Sequence, residues 1–205
     1  MKKSQIKYAM SRRRKNSLLL AAFLLLAAIV WADRTVVHPR IFPPETTTTA
    51  AGDFDKYNQK EFTVVKVVDG DTLDIDIPDG KYRTIRIRLL GIDTPETAKS
   101  PRGEMYYGPE ASQFTKDTVL GKHVVIILNE NANPRDKYGR LLAYIKLPDG
   151  RILNEELISN GFAYAYTIFK HPDYEKYIEL EEAARKGKKG LWKDVKQEQM
   201  PKWKR

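Results

Sequence analysis

The stretch "TIRIRLLGIDTPETAK", residues 84–99, joins a predicted strand to a turn that carries two carboxylates. Within residues 84–89 polar and apolar side chains alternate, which is the period of a strand with one buried face. The chain then presents Asp93 and Glu96 on either side of Pro95, whose ring fixes its own backbone. The sequence therefore predicts a barrel or sheet strand that ends at a preorganised polar site.

The residues of this turn leave two interpretations open. Pro95 biases Thr94 toward an extended backbone, and a restricted backbone suits a preorganised site. A Thr or Asp followed by Pro and Glu is also a signal for the start of a helix. Residues 96–105, "ETAKSPRGEM", show no apolar helical pattern, which weakens the second interpretation.

Segments of alternating or β-branched residues predict four further strands around this stretch. They are "EFTVVKVV" at 61–68, "TLDIDI" at 72–77, "HVVIIL" at 123–128 and "RLLAYIKL" at 140–147. Proline and glycine boundaries predict three helices. They are "GPEASQFTKDTVLGK" at 108–122, "NEELISNG" at 154–161 and "PDYEKYIELEEAARKG" at 172–187. Five short strands with one helix between the third and fourth predict a small, partly open OB-fold barrel.

The first 32 residues resemble an export signal. Seven Lys and Arg without an acid precede an uncharged apolar run at 17–32. This segment is either a signal peptide cleaved after Ala32 or a membrane anchor, although a bilayer span requires roughly 20 residues. Both alternatives place the protein outside the cytoplasm, secreted or anchored on the outer face of a bacterial cell.

The remaining chain divides into three predicted parts. Residues 33–60 are rich in Pro and Thr and read as a flexible tether. Residues 61–193 form the folded domain, and residues 194–205 form a basic C-terminal tail. We expect a monomer, with membrane association only through residues 17–32.

Composition excludes several classes of site. The chain has no cysteine, so disulfides, zinc thiolates and thiol nucleophiles are excluded. The net charge of +9 owes seven positive charges to the leader; the rest has 29 Lys and Arg against 27 Asp and Glu, or +2. A basic pI is therefore no argument for nucleic-acid binding here, and only local charge can carry one.

Local charge is concentrated in acids and arginines. Asp69 and Asp71 flank a glycine, an arrangement that suits a hard cation but also an ordinary turn, and the spacing excludes an EF-hand loop. Arg88 and Arg140 lie at strand positions, and guanidinium groups match phosphate oxygens in pairs. Acids that hold a cation beside two arginines indicate metal-assisted attack of water on a phosphodiester.

Five motifs in this chain together resemble the staphylococcal thermonuclease family in order and spacing. They are "DGDT" at 69–72, "RLLGIDTPET" at 88–97, "YGPEASQFTK" at 107–116, "DKYGRLLAYI" at 136–145 and "GFAYAY" at 161–166. The resemblance implies a five-stranded Greek-key OB-fold barrel with three helices, here preceded by an apolar leader helix and the tether. It also implies a calcium-dependent nuclease that cleaves DNA and RNA to 5′-hydroxyl and 3′-phosphate ends.

The resemblance assigns the metal site. Asp71 and Asp93 would bind Ca²⁺ through their carboxylates, and Thr94 would bind it through its backbone carbonyl. Asp69 would lie in or near the layer of residues that surrounds these ligands without contacting the ion. The alternative is a non-catalytic OB-fold module that binds nucleic acid at the cell surface.

The resemblance also assigns the catalytic and substrate groups. Glu96 would be the general base, and Arg88 and Arg140 would bind the scissile phosphate. The remaining substrate contacts would come from Lys137, Tyr138 and Tyr166. The segment around Tyr166 needs a one-residue gap to align, and the loop "KSPRGEMYYG" at 99–108 departs from the family in composition.

Overall fold

The computed structural model describes residues 50–98, 100–101 and 103–205. The predicted leader and the first part of the predicted tether lie outside these residues. Within them, no helix has both the length and the apolar composition that crossing a bilayer would require.

Seven strands occur in the described residues, and five of them close into a barrel in the order β1-β2-β3-β6-β5. The barrel strands are β1 (Lys60–Val67), β2 (Thr72–Ile75), β3 (Ile85–Leu89), β5 (His123–Leu128) and β6 (Leu141–Lys146). Strands β4 (Ile92–Asp93) and β7 (Tyr164–Ala165) form a separate two-stranded ribbon. The predicted five-stranded OB-fold barrel is confirmed, and it is closed instead of partly open.

Strand β1 closes the barrel because it pairs with β5 on one edge and with β2 on the other. Its first half pairs with β5, from Lys60 opposite Ile126 to Thr63 opposite His123. Its second half pairs with β2, after an irregularity between Val64 and Lys66. A bulge of this kind bends a strand and increases its twist, so one continuous strand can turn the corner between neighbours.

The alternation predicted for β3 is found in the structure. Ile85, Ile87 and Leu89 are buried in the core, whereas the intervening arginines lie on the outer face. Strand β3 pairs in parallel with β6, and Arg88 is opposite Leu142. Arg140 directly precedes β6 and lies two positions before Leu142, so the period of two of an extended chain puts it on the side of Arg88.

Four α-helices accompany the barrel in the described residues. They are α1 (Ala50–Tyr57), α2 (Gly108–Val119), α3 (Leu153–Ser159) and α4 (Tyr174–Lys186). The last three correspond to the predicted helices, and α2 begins with a proline in its first turn as expected. Helix α1 falls inside residues 33–60, so the expectation of a tether does not hold for residues 50–57.

A buried ion pair explains why α1 is part of the domain. Asp53 is 1% exposed, and Arg135 donates to both of its oxygens at 2.6 and 2.7 Å. The same guanidinium donates to Asp79, in the turn between β2 and β3. One arginine thus links the helix to two barrel loops, and Tyr57 adds a fully buried ring.

Replacing Asp53 with Ala should destabilise the full-length chain by about 3 kcal/mol, because it leaves the Arg135 charge partly buried without this partner. The free energy of unfolding in urea at constant pH measures the effect. Asp55→Ala changes an exposed acid of the same helix and should stay within about 0.5 kcal/mol. Equal stabilities for the two variants would contradict this docking of α1.

Candidate active site

The turn after β3 is tied directly to the loop between β1 and β2. Thr94 donates its backbone N–H and its hydroxyl to Oδ2 of Asp71, at 2.7 and 3.0 Å. Asp71 and Thr94 are both buried, so these hydrogen bonds are shielded from water. The structure therefore brings Asp71, Asp93 and Thr94 together, three residues that the sequence placed in one site.

Two glycines allow the close approach of these segments. A Cβ on Gly70 would lie within 3 Å of three side-chain atoms of Thr94. A Cβ on Gly108 would lie 2.1 Å from the backbone oxygen of Glu96. The loop before β2 and the start of α2 therefore press against the turn from two sides, which holds its backbone in place.

Arg88 bridges the two acids. Its Nη2 donates to Oδ1 of Asp93 at 2.7 Å, and its Nη1 lies 2.5 Å from Oδ2 of Asp71. The Nη1 contact is an ion pair only, because no N–H of Nη1 is aligned with an acceptor in the described residues. The side chain is 15% exposed and Nη1 is buried, so both terminal nitrogens of Arg88 are directed at the two acids.

Negative charge exceeds positive charge in this cluster. Burial, followed by the charge of Asp71, raises the pKa of Asp69 to about 7 and that of Asp93 to about 6. Asp69 also accepts a hydrogen bond from the backbone of Asp71. Asp71 and Asp93 pair with Arg88, and Asp69 adds its charge behind them, so a divalent cation would offset the excess of negative charge.

The donor set fits a hard cation of the calcium type. Carboxylate, carbonyl and hydroxyl oxygens are present, and the described residues place no sulfur ligand there. No three His, Cys, Asp or Glu side chains in the described part of the chain converge as a metal cage. A cation here would therefore be held by two carboxylates, with backbone oxygen and water completing its shell.

Glu96 lies on the same turn, and its backbone oxygen accepts a hydrogen bond from Met105 at 2.9 Å. Its charge is among the groups that raise the pKa of Asp93, after burial and Asp71. The Glu96 carboxylate is therefore close enough to act on the cluster electrostatically.

Arg140 has a different partner in this structure. Its Nε donates to Oδ2 of Asp136 at 2.8 Å, and its guanidinium lies over the ring of Tyr138. Tyr138 is 72% exposed, and the Lys137 ammonium also lies near its ring. The loop before β6 thus gathers two cations and an exposed aromatic ring next to the face that carries Arg88.

Tyr166 follows β7, which pairs with β4 so that Asp93 is opposite Tyr164. The backbone N–H of Tyr166 donates to the backbone oxygen of Gly91. The pKa of Arg88 is raised although burial lowers it, and Tyr166 is one of the groups that raise it, after the neighbouring aspartates. The ribbon therefore brings Tyr166 to the same cluster, despite the irregular spacing of its segment.

Sequence reasoning missed Trp203. This residue lies in the predicted basic tail, yet its indole Nε1 donates to Oδ2 of Asp93 at 2.8 Å. Its ring also packs edge-on against Tyr166, with centroids 4.8 Å apart. The tail "PKWKR" at 201–205 contains no motif that could have placed this tryptophan at the site.

Known proteins resemble this chain over more than half of its length. The profile of the family described as "Staphylococcal nuclease homologue" matches residues 86–194. A thermonuclease of Staphylococcus hyicus is 36% identical over 154 residues, which is 74% of this chain and 86% of that protein. A thermonuclease of Staphylococcus intermedius is 41% identical over 127 residues, 62% of this chain and 70% of that protein. An uncharacterized endonuclease of Escherichia coli O157:H7 is 34% identical over 140 residues, 68% of this chain and 80% of that protein.

Replacing Gly108 with Ala should destabilise the protein by about 2 kcal/mol, because the new methyl group overlaps the backbone of Glu96 and forces the turn to move. Urea unfolding of the full-length chain measures this loss. Gly187→Ala is the control, since its φ of −78° suits alanine. A Cβ added there would lie 3.3 Å from the backbone oxygen of Ala183, a tight contact without the overlap found at Gly108. If both variants kept wild-type stability, the turn would not be confined as described.

Proposed function

The chain belongs to the staphylococcal nuclease family, and from that premise we propose that it is a calcium-dependent nuclease that acts outside the cytoplasm. Its substrates are DNA and RNA, which it hydrolyses with little sequence specificity to 5′-hydroxyl and 3′-phosphate ends. The observation that carries this proposal is Arg88, a largely buried guanidinium held between Asp71 and Asp93 on the strand that leads to the Glu96 turn.

Asp71 and Asp93 would hold Ca²⁺ through their carboxylates and Thr94 through its backbone carbonyl, with Asp69 behind them. A bound Ca²⁺ would balance the charge of the acids and supply electrostatic stabilisation to the phosphate. The pKa of Asp93, which burial and then the charge of Asp71 raise, is consistent with this assignment, because a cation bound between the two acids would offset both effects.

Arg88 and Arg140 would bind the scissile phosphate. Stabilising the extra charge on phosphate oxygens in the transition state is the largest task of such a site. Arg88 is held beside Asp71 and Asp93 by its ion pairs. Asp136 fixes Arg140 through Nε, and no hydrogen bond within the described residues occupies its Nη atoms. Arg140 therefore retains donors that match phosphate oxygens, and Arg88 would offer its own donors where Ca²⁺ replaces it as the partner of the acids.

Glu96 would be the general base. It takes a proton from water while the water oxygen forms a bond to phosphorus and the bond from phosphorus to the 5′ oxygen breaks. The 5′ oxygen departs with the bonding electron pair and takes a proton from solvent water, while Glu96 returns its proton to solvent, and the phosphate stays on the 3′ oxygen. Glu96 suits this role because it lies on the same turn as Asp93 and its charge acts on that carboxylate.

Substrate strands would be held by contacts that do not depend on sequence. Lys137 offers a point charge to a phosphate, and Tyr138 offers an exposed ring to a base or terminal nucleotide. Tyr166 lies beside the cluster, where it can contact the base next to the scissile bond. The basic and apolar segment at residues 1–32 would export the protein or anchor it at the outer face of the membrane.

Cleavage of plasmid DNA and of RNA by the full-length chain should require Ca²⁺ and stop with EGTA, because the carboxylates alone repel a phosphodiester. Adding back Ca²⁺ should restore it. The products should accept labelled phosphate from polynucleotide kinase without prior phosphatase treatment, which identifies 5′-hydroxyl ends. Products with 5′-phosphates would contradict the proposed chemistry, and binding without cleavage would instead support the non-catalytic module.

Glu96→Gln should lower kcat by roughly 10²- to 10⁴-fold, the usual contribution of a general base. Glu104→Gln is the matched control, since Glu104 is an exposed acid of the following loop and should keep wild-type turnover. Single-turnover cleavage at saturating Ca²⁺ measures both variants. Near-wild-type turnover of Glu96→Gln would remove Glu96 from the proton transfer.

A further inference from the structure

The C-terminal segment reaches the site from 110 residues away in sequence. Trp203 Nε1 donates to Oδ2 of Asp93, and Arg88 donates to the other oxygen of the same carboxylate. Both oxygens of Asp93 therefore have a fixed donor, and the plane of the carboxylate is determined from two sides. A carboxylate with one free oxygen could rotate about its terminal bond.

The position of Trp203 is itself fixed by packing. Its ring packs edge-on against Tyr164 and Tyr166 and joins a buried cluster with Leu191 and Trp192. The next residue, Lys204, forms an ion pair with the buried Glu181 on helix α4. The ring contacts of Trp203 and the ion pair of Lys204 therefore fix the position of the indole N–H independently of its hydrogen bond to Asp93.

We propose that Trp203 is a positioning residue of the nuclease site, whose indole N–H orients the Asp93 carboxylate for a divalent cation. The inference rests on the proposed function of Asp93 as a ligand. Indole is a neutral donor and cannot itself ligate the metal, so it holds the acid without adding charge. Hydrogen bonds to ligating carboxylates from groups behind them tune metal affinity, typically by 10- to 100-fold.

The test replaces Trp203 with Phe, which keeps an aromatic ring against Tyr164 and Tyr166 but removes the donor. Calcium affinity of the full-length chain is measured by calorimetric titration, and cleavage at saturating Ca²⁺ is measured in parallel. Trp203→Phe should weaken the Kd for Ca²⁺ by roughly 10- to 100-fold, and excess Ca²⁺ should recover much of the lost cleavage.

Trp192→Phe is the matched control. Trp192 packs against the same Tyr164 ring, but its buried Nε1 has no hydrogen-bond partner in the described residues. This variant should therefore bind Ca²⁺ as the wild type does. If Trp203→Phe does not fold, benzothienylalanine at position 203 replaces only the N–H with sulfur and carries the same test.

Each outcome decides one proposal. An unchanged calcium Kd in the Trp203 variant would overturn the positioning role, and a tighter Kd would overturn it by showing that the tail competes with the cation. A wild-type chain that neither binds Ca²⁺ nor cleaves nucleic acid would instead overturn the proposed function. The control variant separates a lost donor from general loosening of the aromatic cluster.

Discussion

The ion pairs of Arg88 with Asp71 and Asp93 are the constraint on which this site depends. They join Asp71, in the loop between β1 and β2, and Asp93, at the end of β4, to one strand of the barrel. Placing three charged side chains below the surface is costly unless each charge is compensated, so the loops must meet at a fixed geometry. One guanidinium faces two carboxylates, and Asp69 adds a third nearby, so the negative charge of the cluster exceeds its positive charge. That excess makes the cluster suited to a cation, and the guanidinium makes it suited to a phosphate.

The barrel supplies this geometry through a few long-range pairings. Strand β3 pairs in parallel with β6, which sets Arg88 and Arg140 on one face. The β4–β7 ribbon fixes Asp93 opposite Tyr164 and carries Tyr166 to the cluster. The close approaches at Gly70 and Gly108 confine the turn between these elements. Asp71 and Thr94 thus come from loops, Arg88 and Asp93 lie on strands, and the strand pairings set the positions of all four.

Sequence reasoning predicted the parts of the fold that local patterns determine. The period of two in residues 84–89 predicted β3, and the Asp-Thr-Pro-Glu turn indicated a preorganised site. It did not predict α1, because that helix is tied to the domain by Asp53 and Arg135, which are 82 residues apart. It also missed Trp203, because the tail has no periodic pattern and its contact with Asp93 depends on the finished fold. The partner of Arg140 was missed although Asp136 lies only four residues earlier, since no local pattern selects which acid an arginine will meet.

The most direct test of the account is a crystal structure of the full-length chain with Ca²⁺ and a phosphorothioate-linked dinucleotide, which resists cleavage. The account predicts one calcium ion bound by the carboxylates of Asp71 and Asp93, with the Arg88 guanidinium turned onto oxygens of the phosphorothioate. A calcium ion bound elsewhere, or a phosphorothioate out of reach of Arg88, would contradict it.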